Sequence, residues 1–288
     1  MELFQYPYMQ RALIAALVIG LAAPALGIYL VQRRLALVGD GIGHVALTGV
    51  GAGLLFNRSP VLVAVVAATL GAVAIELVRA RGRTSGDLAL ALLFYGGIAG
   101  GVMLVGLSDA TSANLNAYLF GSLTTIFPRD LATIAILGVV IGVVMLGLRP
   151  ALFAVCHDEE YARVSGLPVR TLNLLLAVAT AVTVTIAMQA VGVLLISALM
   201  VVPVAAAQQV TRGFRSTMTA AMALGLFAAG AGVWVAATAN TAPGASVVLL
   251  AIASFLVVAL GAAGWRLLRR RAAPAAVPAP EPHEVVLR

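Results

Sequence analysis

Apolar runs of about 20 residues, the length that crosses a bilayer as a helix, recur along the chain between short polar connections. They predict nine spans: Arg11–Val31, Leu35–Phe56, Pro60–Val78, Leu88–Leu107, Leu131–Leu148, Leu172–Met188, Val191–Ala207, Met218–Ala237 and Ala245–Trp265. The first run contains Ala23-Pro24-Ala25, faintly like a leader, but it continues apolar to Val31 behind a single arginine, Arg11, and reads as a span. The fold class is therefore an all-α polytopic membrane protein. Residues 1–271 form the transmembrane domain and 272–288 a disordered Pro/Ala-rich tail.

The connections alternate in charge. Every second one carries arginine: Arg33 and Arg34; Arg79, Arg81 and Arg83; Arg149, Arg163 and Arg170; Arg212 and Arg215; Arg266 and Arg269 to Arg271. The other connections and the N-terminal segment hold only Arg11, Arg58 and Arg129. The positive-inside rule makes the first set cytoplasmic, so the N-terminus is outside and the C-terminus inside, as an odd number of spans requires.

Composition strengthens this picture. The chain is 62% hydrophobic and 10% charged, with mean hydropathy +1.06, whereas soluble domains run near 25% charged. The net charge of +7 is spread over small arginine clusters between apolar runs, a topology signal rather than a nucleic-acid groove. One cysteine, Cys156, excludes an internal disulfide.

The second span breaks the apolar pattern with Asp40 and His44. Four residues apart on a helix, they share a face. An ionisable group at mid-membrane costs roughly 2.5–3.5 kcal/mol even on the lenient insertion scale. Carboxylate plus imidazole suits a borderline divalent metal. In the alternative reading Asp40 caps the helix or pairs with Arg33 or Arg34, and His44 is a hydrogen-bonded core histidine. Two ligands are too few for a tight site, which suits an ion that must leave again; a two-fold dimer would supply four. Gly39 and Gly43, and Gly49 and Gly53, let neighbouring helices approach closely. Glu76 is a possible secondary ligand, or a partner for Arg79 or Arg34.

Two connections exceed a turn. Ser108–Asp130 carries Leu119-Phe120 and Ile126-Phe127, which suit a short re-entrant helix. Arg149–Arg170 contains His157-Asp158-Glu159-Glu160. Adjacent helical residues do not converge on one ion, so this run reads as the acidic start of a short amphipathic helix ended by Gly166. Such a helix suits either a docking contact or a plain interfacial loop. Pro203 is a candidate kink in the seventh span. In the tail, His283 lies between Glu281 and Glu284, a minor metal candidate. The chain has no GxxxxGK[ST] loop, no HExxH and no GxSxG, so nothing marks it as an enzyme.

Taken together, QRRLALVGDGIGHVAL, LFGSLTTIFPRDL, DEEYARVSGLPVR, VGVLLISALMVVPVAAAQQ and TAPGASVVLL resemble, in order and spacing, the membrane permease subunits of zinc, manganese and iron ABC importers. The likeness runs from about Tyr8 to Trp265. It implies a homodimeric permease of the bacterial cytoplasmic membrane. A separate ATP-binding subunit would dock on the cytoplasmic face, and an extracytoplasmic metal-binding protein would deliver the ion. No cofactor would be permanently bound; the metal is cargo, and ATP is used by the partner. The resemblance assigns the ATPase contact to Asp158, Glu159, Tyr161, Ala162, Gly166 and Pro168, and the metal path to Asp40 and His44. Relatives often carry serine before this histidine. Gly43 stands there, so the imidazole must be oriented by something else. The competing classes are a siderophore- or cobalamin-type ABC permease, which gives no reason for Asp40 and His44; an ion-coupled secondary metal transporter, expected to carry more paired intramembrane carboxylates; and a non-transporting scaffold.

Overall fold

The computed structural model of the chain describes residues 6–81, 86–108, 112–122 and 127–272. Arg83, Ile126 and the tail candidates Glu281, His283 and Glu284 lie outside the described residues. Twelve helices run in order: α1 (Pro7–Gln32), α2 (Val38–Leu55), α3 (Pro60–Arg81), α4 (Gly86–Gly106), α5 (Ser112–Phe120), α6 (Pro128–Gly147), α7 (Arg149–His157), α8 (Glu159–Val164), α9 (Val169–Val191), α10 (Val193–Val210), α11 (Phe214–Ala239) and α12 (Pro243–Ala272). Among the described residues, eight helices are long and apolar enough to cross a membrane: α1, α2, α3, α4, α6, α9, α11 and α12. The seventh expected span, α10, is shorter, its apolar stretch being Leu195–Gln208. A single residue, Gly192, separates it from α9, and it continues through Pro203. The helix foreseen around Leu119-Phe120 is α5.

The helices form a hub and a ring. In α1, α2 and α9 the span residues are 72, 67 and 67% buried, against 17% in α4, α6 and α12. The core is built largely from alanine and branched aliphatics, which let backbones approach. Its polar groups are mostly satisfied. The Tyr29 hydroxyl donates to the Met145 carbonyl at 2.7 Å. Thr180, Thr183 and Thr185 of α9 each donate to the carbonyl four residues back, at 2.7 Å, the usual way a hydroxyl is accommodated in an apolar helix.

The hub helix α2 contains six glycines, each worth about 1 kcal/mol against a helix relative to alanine. It persists because an apolar surround leaves the backbone no other hydrogen-bond partners and because each glycine admits a neighbour. A Cβ on Gly39 would lie 2.9 Å from Ser197 Oγ, and on Gly43 2.9 Å from Val193 Cγ2, both on α10. On Gly49 and Gly53 it would meet Ala64 and Pro60 of α3, at 2.5 and 2.6 Å. On Gly41 and Gly51 it would meet Leu90 and Leu104 of α4. The two glycine pairs evident in the sequence thus serve two different helices.

Three distant segments also touch backbone to backbone. Gly121 (φ +76°) packs on the Ala190 and Val191 main chain, Gly192 (φ +92°) on that of Leu119 and Phe120, and Gly244 on the Val191 and Phe120 carbonyls. The end of α5, the α9–α10 junction and the start of α12 therefore form one knot.

Candidate functional site

Asp40 falls in the first turn of α2 and His44 one turn on. The α2 N-cap is Leu37, with no side-chain cap. Asp40 neither caps the helix nor pairs with Arg33 or Arg34; it has no hydrogen-bond or ion-pair partner among the described residues. It borders an open cavity of about 220 Å³ lined by Leu37, Leu90, Ala91, Phe94 and Tyr95. Leu37 and Tyr95 are 65 and 70% exposed, so this rim is an uncovered apolar face around a carboxylate.

His44 is 6% exposed. Its Nδ1 is buried with no hydrogen-bond partner among the described residues, unlike a fully satisfied core histidine. The ring meets Phe94 edge-on, centroids 4.3 Å apart. Gly97 of α4 lies so close to the His44 backbone that a Cβ there would stand 2.6 Å from its carbonyl carbon. Thr48, one turn further, donates to the Gly97 carbonyl at 2.8 Å. Phe94 and Gly97 thus supply the orientation that the sequence leaves unexplained at Gly43. Ser197 Oγ, also buried and unpartnered, sits against Gly39 from the α10 side. In the sequence Ser197 interrupts the apolar run of the seventh span, but nothing there gives it a role. Among the described residues no three His, Cys, Asp or Glu side chains gather to hold a metal. Asp40 and His44 are therefore two donor groups, one turn apart, without protein partners among the described residues.

Glu76 accepts from Arg79 at 2.9 Å and faces a separate cavity of about 900 Å³ that Arg33, Glu159, Arg163, Arg170 and Asn173 also line. The structure does not bring Glu76 into the Asp40 cavity.

The expected short helix is α8. The Asp158 carboxylate accepts from the Tyr161 amide at 2.9 Å, capping the first turn. At the other end the Leu167 amide bonds the Ala162 carbonyl and the Gly166 amide bonds that of Arg163, both at 3.1 Å, with Gly166 at φ +80°; this left-handed cap closes the helix. Ala162 is fully buried, while Tyr161 and Val164 are 68 and 88% exposed. Glu159 bonds both Arg163 and Arg33, and Pro168 leads into α9. Cys156, at the end of α7, lies beside this group. Burial pushes its thiol up to about 11, partly offset by Arg33 and reinforced by Glu159. Maleimide labelling of Cys156 is accordingly expected to accelerate about tenfold per pH unit from pH 7 to 10, past the point where an ordinary thiol levels off. Arg33→Gln should slow it at every pH, as stopped labelling and mass spectrometry would reveal.

Comparison with known proteins places these features. Residues 5–262 match the model of the ABC 3 transport family. The chain belongs to that family. It is 34% identical to the chelated iron transport system membrane protein YfeD of Yersinia pestis, covering 90% of this chain and 86% of that one. It is 31% identical to the manganese transport system membrane protein MntC of Halalkalibacterium halodurans, covering 88 and 87%. Among solved structures it resembles PsaBC from Streptococcus pneumoniae in complex with Fab, with TM-score 0.80 and 28% identity over 88% of this chain and 92% of that one. The ABC 3 protein described here is thus a multi-pass membrane permease of the metal importer class, a transporter and not an enzyme.

Proposed function

We propose that this ABC 3 permease imports a divalent first-row metal ion (zinc, manganese or iron), with Asp40 and His44 as its transient ligands in each of two identical subunits. The observation that carries this reading is the pair of uncommitted ligand atoms one turn apart on α2, buried His44 Nδ1 and the unpaired Asp40 carboxylate. An orphaned buried nitrogen costs about 1–3 kcal/mol unless something binds it, and a metal ion in passage does so. The uncovered apolar rim at Leu37 and Tyr95 is suited to a second copy, which would double the ligand count.

In this reading the chain crosses the membrane nine times, α10 adding one crossing, the seventh in chain order, to the eight long helices, with its N-terminus outside and the arginine-rich connections inside. An ATP-binding subunit docks on α8 and drives alternating access, and an extracytoplasmic metal-binding protein loads the other face. No cofactor stays bound, residues 1–271 act as one unit, and residues 272–288 take no part. Glu76 is left to its Arg79 partner rather than to the ion. The relatives named for manganese and iron transport support the cargo class without choosing within it.

The test is uptake of zinc-65, manganese-54 and iron-55 in parallel by cells lacking their own importers, carrying this chain with its ATPase and carrier. Uptake of at least one ion that vanishes with an ATPase-dead partner is expected; ATP-independent uptake would overturn the proposal. Val164→Asp, placing a charge on the exposed face of α8, should weaken co-purification of the ATPase by about tenfold or more, as a buried interface charge does, while leaving the permease folded.

A further inference from the structure

Arg33 has a place in the structure that membrane topology does not explain. A positive-inside arginine needs only water and lipid headgroups, yet the Arg33 side chain is 7% exposed. Its guanidinium donates to Asn173 Oδ1 of α9 at 2.7 Å and to Glu159 Oε2 of α8 at 3.4 Å. Asn173 is itself buried. Burying a guanidinium for so long an ion pair is a poor way to gain stability, since apolar side chains of similar volume do as well.

The backbone around Arg33 gives the contact a direction. Arg33 is the C-cap of α1. Arg34 follows at φ +59°, with the Arg34 amide on the Val31 carbonyl at 3.0 Å and the Leu35 amide on the Leu30 carbonyl at 2.8 Å. This is the same left-handed helix stop that closes α8, here held by a non-glycine residue. The Val38 amide then bonds the Leu35 carbonyl at 3.1 Å, and α2 begins at Val38, with Asp40 in its first turn. From Arg33 to Asp40 the chain is thus a continuous hydrogen-bonded corner with no slack loop. Among the described residues, Arg33–Glu159 is the ion pair that ties α8 to this corner.

We infer that Arg33 is a positioning residue, the joint through which displacement of α8 turns the start of α2 and so changes the setting of Asp40 and His44. The inference rests on the proposed importer reading. Glu159 suits the other half of the joint: one oxygen faces Arg33 and the other Arg163, at 3.4 and 3.3 Å, so a modest shift of α8 strengthens one contact at the expense of the other. Asn173 anchors the guanidinium to the hub helix α9 and fixes the pivot.

The experiment measures metal ions imported per ATP hydrolysed, with the three radiometals in parallel, in proteoliposomes holding the full complex. Arg33→Gln and Glu159→Gln are each expected to lower that ratio by about tenfold, an ordinary size for a coupling between sites; ATPase assembly and hydrolysis persist in Arg33→Gln, and because Glu159 lies on the docking helix itself, its ratio is read on complexes purified in assembled form. The double variant should be no worse than the poorer single, as for two ends of one contact. Arg33→Lys, keeping the charge but not the fork, should recover part of the ratio. Independent, multiplying losses in the double variant would overturn the inference. So would an unchanged ratio in Glu159→Gln, whose half-exposed position makes misfolding a poor excuse; Arg33 would then be structural only, even if its own variants failed to assemble. A wild-type complex that imports none of the three ions would instead refute the importer reading, and the inference with it.

Discussion

Removal of the His44 imidazole is expected to abolish transport. In His44→Ala, radiometal uptake should fall by roughly a hundredfold or more, since even loss of a residue that merely orients a metal ligand costs 10–100-fold. Asp40→Asn should do the same for the same ion, because it removes the charge and leaves the volume. Both variants should reach the membrane in normal amounts: Asp40 borders an open cavity, and His44→Ala deletes a buried atom that has no partner to lose. Equal expression with uptake unchanged in both would remove the pair from the mechanism and leave the family assignment standing.

The second large effect is structural. Gly192→Ala should deplete the folded permease. At φ +92° and ψ 149° the backbone sits where essentially only glycine goes, and another residue there costs about 1–3 kcal/mol. The added Cβ would also run into the main chain of Leu119 and Phe120, and overpacking adds about 1–3 kcal/mol more. Backbone cannot change rotamer to make room. Gly142→Ala is the matched control: its Cβ would meet nothing within 4 Å, and alanine is the better helix former. Thermal unfolding in detergent, followed by size-exclusion fluorescence, should find Gly192→Ala well below wild type and Gly142→Ala at or above it. Equal melting of the two variants would mean that the knot contributes nothing.

These predictions differ in how far the sequence alone leads to them. Hydropathy located the spans because lipid imposes one rule on every residue of a crossing helix. It also separated α9 from α10 within a few residues of the break at Gly192, although the apolar stretch of α10 itself is short, Leu195–Gln208. Asp40 and His44 stood out because charge inside an apolar run is expensive. Ser197 also interrupts an apolar run but pointed to no role, because a hydroxyl can satisfy itself on its own helix and usually does. The short α8 was legible from its acidic start and its glycine stop, both local signals. Arg33 was read as a topology marker, since its partners Asn173 and Glu159 lie 140 and 126 residues away and nothing in linear spacing connects them. Nothing in linear spacing connected the three glycines of the knot either. They belong to three of the stretches that carried the family resemblance, and their meeting gives that resemblance a physical basis.

The hub-and-ring arrangement bears on how the protein is made. Ribosomes work at roughly 5–20 residues per second, and segments fold in order of appearance. The hub helices α1 and α2 emerge first, while α9, which will bury them, begins only at Val169. At that pace α2 waits roughly 6–25 s with Asp40 and His44 lacking their final surroundings. During the wait α3 and α4 are the first later spans at hand, with α6 following, and it is α4 that brings Phe94 and Gly97 against the histidine. The packing of α4 against α2 is therefore expected to shelter His44 before α9 arrives. Truncated chains released after Gly106 should already protect His44 from modification, well before any transport-competent protein exists.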